Sequence, residues 1–152
     1  MIKYSKEVAA AKSQGRPIVA LESTIISHGL PRPTNLEVAL EVEDLVRSQG
    51  ATPATIAIID GEIFVGLEYE QLYRIANDEN IVKASTRDLA IVCADGKSAA
   101  TTVAATSHIA HLADVEVFAT GAYNGEYNPA TGRQYIDELP PAVAAAIRNL
   151  RQ

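Results

Sequence analysis

Polar residues follow three short apolar runs of the sequence, and a carboxylate is the least expected of them. Glu22 stands directly after the apolar run 17–21, where a buried charge is costly unless something pairs with it. Lys83 and Ser85 lie at the end of a second run, and Thr120 ends a third. A carboxylate, a cation and hydroxyl groups are the side chains that acid–base chemistry and ligand binding require. These residues are therefore the first candidates for a functional site.

The elements that must position these residues begin with a helix over 4–13 and a buried strand over 17–21. Thr34 and Glu37 have the spacing of a capping box, which predicts that a helix starts there and continues to Gly50. Asp60-Gly61 separates two β-rich runs and predicts a hairpin, which we expect at an edge of the sheet.

The rest of the pattern also alternates between strands and helices. It predicts a helix over 68–77, a strand over 81–84, a helix capped by Ser85 and Asp88, a helix over 99–112 and a strand over 115–119. This alternation is typical of an α/β fold with a largely parallel sheet. Ligands of such sheets gather at the carboxyl ends of the strands, so we expect Glu22, Lys83 and Thr120 to converge on one rim.

Composition excludes several classes of function. The chain has 152 residues, 47% of them hydrophobic, and a net charge of −6, which argues against general nucleic-acid binding. No apolar run approaches the roughly 20 residues that cross a bilayer, so we expect no membrane segment. Cys93 is the only cysteine, which suits a reducing cytoplasm.

Five motifs in order identify a family. ALESTIISHGLPRPTNLEVALEVE, ATPATIAIIDGEIFVGL, VKASTRDL, ATTVAAT and VFATG together resemble the pseudouridine-5′-phosphate glycosidase family, also called indigoidine synthase A-like. The resemblance implies a three-layer α/β/α fold with a mostly parallel mixed sheet, truncated to the N-terminal half of the family. It implies a family-like domain over residues 1–121, and the remaining residues 122–152 are predicted to form a divergent loop and a short C-terminal helix.

The resemblance also implies an activity and its residues. The family cleaves the C–C glycosidic bond of pseudouridine 5′-phosphate reversibly to uracil and ribose 5-phosphate, using an imine-forming lysine, a glutamate proton donor and Mn²⁺. Glu22 matches the proton donor, while Lys83, Val103 and Thr120 match substrate-binding positions, Val103 through its backbone, with a side chain expected in the core. A glutamate whose pKa is raised by burial can hold a proton near neutral pH. Homotrimeric assembly and a phosphosugar or nucleotide ligand follow from the same resemblance.

The sequence departs from the family at two functional positions. The imine-forming lysine belongs to the half that this sequence lacks, and Lys97 lies on the wrong side of ATTVAAT to replace it. Tyr135 falls at the metal-binding aspartate, so that Asp137 reaches the metal only if the loop has shifted. His108 and His111 form the only other metal-like pair, and His28 is expected to orient its loop.

Three interpretations therefore stay open. The chain is an enzyme completed by a second half, a binding module that holds a phosphosugar or nucleotide without turnover, or a structural subunit. At the residue level, the alternative to a catalytic Glu22 is a carboxylate paired with Lys83 that holds the rim together.

Overall fold

Seven strands and five helices form the part of the chain that the computed structural model describes, residues 1–120. The strands are β1 (Ile2–Tyr4), β2 (Ile18–Leu21), β3 (Thr52–Ile59), β4 (Glu62–Val65), β5 (Val82–Ala84), β6 (Ala99–Thr101) and β7 (Val117–Ala119). The helices are α1 (Lys6–Ser13), α2 (Thr34–Ser48), α3 (Tyr69–Asn77), α4 (Leu89–Ala94) and α5 (Val103–Leu112). A π-helical turn, Ile25–Gly29, follows β2, and a 3₁₀ turn, Thr86–Asp88, precedes α4.

The sheet is mixed and mostly parallel, as the sequence predicts. Its main order is β1-β4-β3-β2-β7, and the parallel pair β5-β6 joins β3 through an antiparallel pairing of β6. The hairpin of β3 and β4 is confirmed, with Asp60 and Gly61 at φ values of 49° and 78° that suit its two-residue turn. Its expected place at the edge is wrong, because β1 pairs with β4 and covers it.

Helices cover both faces of this sheet and make three layers. Along β3, Ile56 and Ile58 pack in a core cluster with α1, α4 and α5, while Ala57 and Ile59 pack with α2 and α3. The alternation arises because successive strand residues point to opposite faces. All eight residues of β3 are buried, which explains why its sequence is almost continuously apolar.

β2 and β6 pair with the same edge of β3 and run in opposite directions, so that their carboxyl ends point towards each other. β2 is parallel to β3 and pairs with its first half, Thr52 to Thr55, whereas β6 is antiparallel and pairs with Ala57 and Ile58. The carboxyl ends of β2 and β6 therefore meet beside Ile56. β7 extends the sheet beside β2, and β5 extends it beside β6, so four carboxyl ends face one another inside the sheet.

Two predicted helices lose their first residues to strands. The segment expected to be helical from residue 4 forms β1 first, and α1 begins at Lys6 after its cap, Ser5. The helix expected from residue 99 is interrupted in the same way, because Ala99–Thr101 is β6. Its alanines favour a helix intrinsically, but only small side chains fit a strand buried between β3 and β5, and packing overrides propensity.

The predicted capping box of α2 is also wrong, although the helix itself is confirmed. Thr34 is the first helical residue, Pro33 takes the cap position, and no side chain caps the first turn. The corresponding prediction at Ser85 and Asp88 is confirmed, since the Ser85 backbone N–H donates to the Asp88 carboxylate at 2.9 Å. The helix over 68–77 and the strands near 81 and 115 are confirmed with small shifts of their bounds.

Within residues 1–120, no helix is both long enough and apolar enough to span a membrane. The loop and short helix predicted for 122–152 lie outside the described residues.

Candidate functional site

The carboxyl ends of β2 and β6 meet beside Ile56, at a point that we call the junction, and the hydroxyl groups of Ser23 and Thr101 form its hydrogen bonds. Ile56 lies between the β3 residues that pair with β2 and those that pair with β6. Ser23 and Thr101 each donate a hydroxyl hydrogen bond of 2.6 Å to the Ile56 carbonyl. The Thr101 backbone N–H in turn donates to the Ser23 hydroxyl at 2.8 Å. A buried carbonyl is costly without a partner, so these two side chains make the head-on junction possible.

The same hydroxyl network joins two of the sequence motifs. The Thr24 hydroxyl donates to the Thr101 carbonyl at 2.9 Å, and the hydroxyl oxygens of Thr101 and Thr106 are 2.9 Å apart. Ser23, Thr101 and Thr106 are fully buried. LEST and ATTVAAT therefore form one rigid unit that fixes the direction in which the chain leaves β2, directly at Glu22.

Glu22 lies beside Thr120 at the ends of two neighbouring parallel strands. β2 and β7 pair Leu21 with Ala119, which brings the next residue of each strand together. The Thr120 hydroxyl donates to Glu22 Oε1 at 2.5 Å, and Glu22 is only 9% exposed. No ion pair joins Glu22 to Lys83 among the described residues, so the simple rim salt bridge is not the arrangement found.

Lys83 belongs to β5, the strand whose carboxyl end faces those of β2 and β7 across the junction. It pairs with Ala100, which packs in the cluster of α2 and α3, so the backbone register directs Lys83 to that face. The expectation that β5 is a parallel neighbour of β2 is wrong. β5 pairs with β6 and faces β2 across the junction. Lys83 is exposed, and within the described part of the chain its side chain makes no hydrogen bond or ion pair. Its substrate-binding role stays a prediction.

Val103 begins α5 at the end of β6. The residue is 37% exposed, so the expectation that its side chain belongs to the core is wrong. Thr102 caps the helix through its hydroxyl, and the Thr102 backbone N–H donates to the Ala84 carbonyl at 3.0 Å. The first backbone N–H groups of a helix have no partner within the helix and carry partial positive charge. Val103 and the residue after it carry the first of these groups. They follow Thr102, whose N–H bonds to Ala84, the residue next to Lys83.

Asn35 fixes the loop that follows the junction and was not singled out from the sequence. The residue is 1% exposed, and its side-chain amide donates to the carbonyls of Ile26 and Ala76 at 2.8 and 2.7 Å. The Ser27 hydroxyl adds a bond of 2.7 Å to the Ile75 carbonyl. The π-helical turn is thereby attached to the end of α3. A lone Asn in a helical pattern carries no signal for this role, because both acceptors are distant in sequence.

The predicted metal residues do not assemble in the described chain. Within residues 1–120, no group of three or more His, Cys, Asp or Glu side chains is placed to hold a metal ion. His28, His108 and His111 are all exposed. Asp137, like Tyr135, lies outside the described residues, so the Mn²⁺ site stays a prediction and no step below depends on it.

A second charged cluster lies between α1 and α2, away from the junction. Glu43 is 5% exposed, accepts a hydrogen bond of 2.6 Å from the Thr55 hydroxyl and pairs with Arg47 at 3.1 Å. Burial raises the pKa of Glu43, and this outweighs the opposing effects of Thr55 and Arg47. Arg47 also pairs with Glu7 at 2.9 Å and borders a cavity of about 170 Å³. This cluster connects α1 to α2 and contributes no group to the junction.

Sequence comparison places these features in a known family. A family model described as "Indigoidine synthase A like protein" matches residues 7–133. A pseudouridine-5′-phosphate glycosidase of Roseobacter denitrificans is 54% identical over 129 residues, which are 85% of this chain and 42% of that protein. One from Deinococcus radiodurans is 56% identical over 124 residues, 82% of this chain and 40% of that protein. The chain thus spans about two fifths of the length of these relatives.

Two solved structures have the same fold. The prealnumycin C-glycosynthase AlnA, solved in complex with ribulose 5-phosphate, superposes with a TM-score of 0.69 at 41% identity. An indigoidine synthase A-like protein from Thermotoga maritima also superposes with a TM-score of 0.69, at 35% identity. Each superposition covers 78% of this chain and 38% of the other.

Proposed function

Because this chain belongs to the indigoidine synthase A-like family, we propose that it forms the proton-donor part of a pseudouridine-5′-phosphate glycosidase site, with Glu22 as the acid. The reaction would be the reversible cleavage of pseudouridine 5′-phosphate to uracil and ribose 5-phosphate. The observation that carries the proposal is the carboxylate of Glu22, which is 9% exposed and held by Thr120 where four strand ends face one another. The names of the relatives supply the reaction class.

The arrangement suits a proton donor to carbon. A C–C glycosidic bond has no heteroatom leaving group, so the proton must reach the departing uracil carbon directly as the bond breaks. Thr120 holds Glu22 Oε1, which leaves Oε2 as the oxygen that carries the proton. The hydroxyl network beside Glu22 limits the movement of its backbone. A proton donor that is already oriented loses less entropy when the transition state forms.

Lys83 and the start of α5 would hold the phosphate of the substrate. An ammonium group and the first N–H groups of a helix both favour a phosphate, and the residues next to them, Ala84 and Thr102, are joined by a backbone hydrogen bond. The AlnA complex supports a sugar phosphate as the ligand class, since that neighbour was solved with ribulose 5-phosphate. Mn²⁺ at Asp137, a homotrimer and a cytoplasmic location are further predictions from the resemblance.

The described chain would bind its ligand without cleaving it. Breaking the C–C bond requires an electron sink, which an imine at C1′ of the opened sugar supplies. No lysine of this sequence matches the family's imine-forming position, and the chain spans only about two fifths of the relatives. A phosphosugar-binding unit is therefore the favoured form of the proposal, and completion by the rest of the family fold would restore turnover.

Titration calorimetry with ribose 5-phosphate tests this proposal. We expect the wild-type chain to bind, and Lys83→Ala to weaken binding by about tenfold, which corresponds to about 1.4 kcal/mol. Lys97→Ala is the matched control, because Lys97 is exposed and, among residues 1–120, its side chain pairs only with Asp95, at 2.8 Å. Glu22→Gln should retain most of the affinity, since its proposed role is in the chemical step. Absence of binding by the wild type, or equal loss in both lysine variants, would refute the site.

A further inference from the structure

The peptide unit that joins Thr101 to Thr102 is hydrogen-bonded at both of its ends. Its carbonyl oxygen, on Thr101, accepts a bond of 2.9 Å from the Thr24 hydroxyl. Its N–H, on Thr102, donates to the Ala84 carbonyl at 3.0 Å. Because a peptide unit is planar and stiff, this group connects the segment after β2 to the end of β5. We call the peptide unit and its two hydrogen bonds the bridge.

The bridge lies between the two parts of the proposed site. On one side, Thr24 is two residues beyond Glu22 in the sequence. On the other side, Ala84 follows Lys83, and Thr102 is the cap of α5. The Lys83 ammonium and the first N–H groups of α5 are the phosphate contacts of the proposed function. The acid and the phosphate contacts are therefore connected through one peptide unit.

The Thr24 hydroxyl is the side-chain part of this connection. The backbone bond between Thr102 and Ala84 continues the pairing of β5 with β6, whatever the side chains, whereas the bond to the Thr101 carbonyl requires a donor on residue 24. The neighbouring Ser23 hydroxyl accepts from the Thr101 N–H, which belongs to the preceding peptide unit. Ser23 thus fixes the end of β6, and Thr24 fixes the peptide unit from which α5 starts.

We propose that Thr24 is a positioning residue, which sets the place of the Glu22 carboxyl relative to the phosphate-binding start of α5. A proton donor is effective only when the bound substrate lies at the right distance from it, and a misplacement of about 1 Å can cost about a hundredfold in rate. The role in positioning a donor rests on the proposed function. The bridge itself is a property of the folded chain, so it is tested with and without ligand.

Amide hydrogen exchange, followed by NMR, tests the bridge without ligand. Thr24→Val removes the hydroxyl at nearly constant volume, and we expect the Thr102 N–H to exchange about tenfold faster, because its peptide unit loses one of two restraints. Thr24→Ser keeps a hydroxyl and should exchange like the wild type. Ser27→Ala is the matched control. It removes a hydroxyl bond of 2.7 Å to the Ile75 carbonyl from the same segment, outside the bridge, and should leave Thr102 unchanged.

Carbon NMR with ribose 5-phosphate tests the consequence for the site. The glutamate side-chain carboxyl groups are labelled with ¹³C, and the Glu22 resonance is assigned from its loss in Glu22→Gln. At saturating ligand, we expect a displacement of this resonance in the wild type, in Thr24→Ser and in Ser27→Ala. Thr24→Val should lose most of the displacement, because its carboxyl is no longer held in place relative to the bound phosphate. Saturation makes the comparison independent of affinity.

The outcomes separate this inference from the proposed function. Unchanged Thr102 exchange in Thr24→Val, or an equal increase in Ser27→Ala, would overturn the inference, and so would a wild-type Glu22 displacement in Thr24→Val. A wild type that does not bind ribose 5-phosphate refutes the proposed function, and the exchange rates alone then decide whether Thr24 holds the start of α5. Circular dichroism and urea denaturation establish that the variants are folded. Thr24→Val and Ser27→Ala each lose one hydroxyl bond, so their similar loss of stability does not explain a difference between them.

Discussion

Ser23 illustrates how a single hydroxyl supports the junction. It is fully buried, donates to the Ile56 carbonyl and accepts from the Thr101 backbone N–H. Ser23→Ala leaves that N–H without its partner, so we expect the free energy of unfolding to fall by about 1–3 kcal/mol. Urea denaturation measures the change. Ser107→Ala, at an exposed position, should alter stability by less than about 0.5 kcal/mol, and an equal effect of both variants would contradict the network.

Glu43 makes stability depend on pH. Burial raises the pKa of Glu43 in the folded protein above its ordinary value of 4.5. The stability that the protonated carboxyl contributes is therefore fully present below pH 4.5 and is lost as pH rises through the raised pKa. Glu43→Gln removes this titration. We expect the variant to gain stability relative to the wild type as pH increases from about 4.5 towards 7.5, in urea titrations at each pH.

The control for this experiment lies on the same helix. Ser48→Ala changes an exposed side chain of α2 that does not titrate in this range, so its stability difference from the wild type should stay nearly constant over the same pH range. If the Glu43→Gln difference were equally flat, or grew towards acid pH, burial would not be the dominant influence on this group.

At the scale of elements, the approach of β4 to α1 depends on a glycine. Gly66 has φ +82°, and a Cβ there would collide with the Ser5 hydroxyl and the Val8 side chain. We expect Gly66→Ala to destabilise the protein by about 2–4 kcal/mol, because backbone strain and overpacking add. Gly15 has φ +62° in open space, so Gly15→Ala should cost only about 1 kcal/mol. Thermal unfolding compares the two, and similar losses would argue against the close contact.

At the scale of the whole molecule, the chain on its own should be catalytically silent towards pseudouridine 5′-phosphate. No lysine of this sequence matches the family's imine-forming position, and Lys83 is an exposed strand-end lysine. Incubation with pseudouridine 5′-phosphate and Mn²⁺ should release no uracil detectable by chromatography. Borohydride trapping with ribose 5-phosphate, followed by peptide mass spectrometry, should find no adduct on Lys83. A stoichiometric adduct there would show that this lysine is the nucleophile.

The sequence alone determined the fold class, the hairpin at Asp60-Gly61, most of the helices and the family, because these depend on local periodicity, turn chemistry and motif order. Only the tertiary structure decided that β2 and β6 meet end to end at Ile56. β6 is three residues of alanine and threonine, and its strand geometry depends on the space between β3 and β5. The pairing of Glu22 with Thr120, 98 residues apart, likewise requires β7 to lie beside β2. Strand order is a long-range property, and local sequence patterns do not encode it.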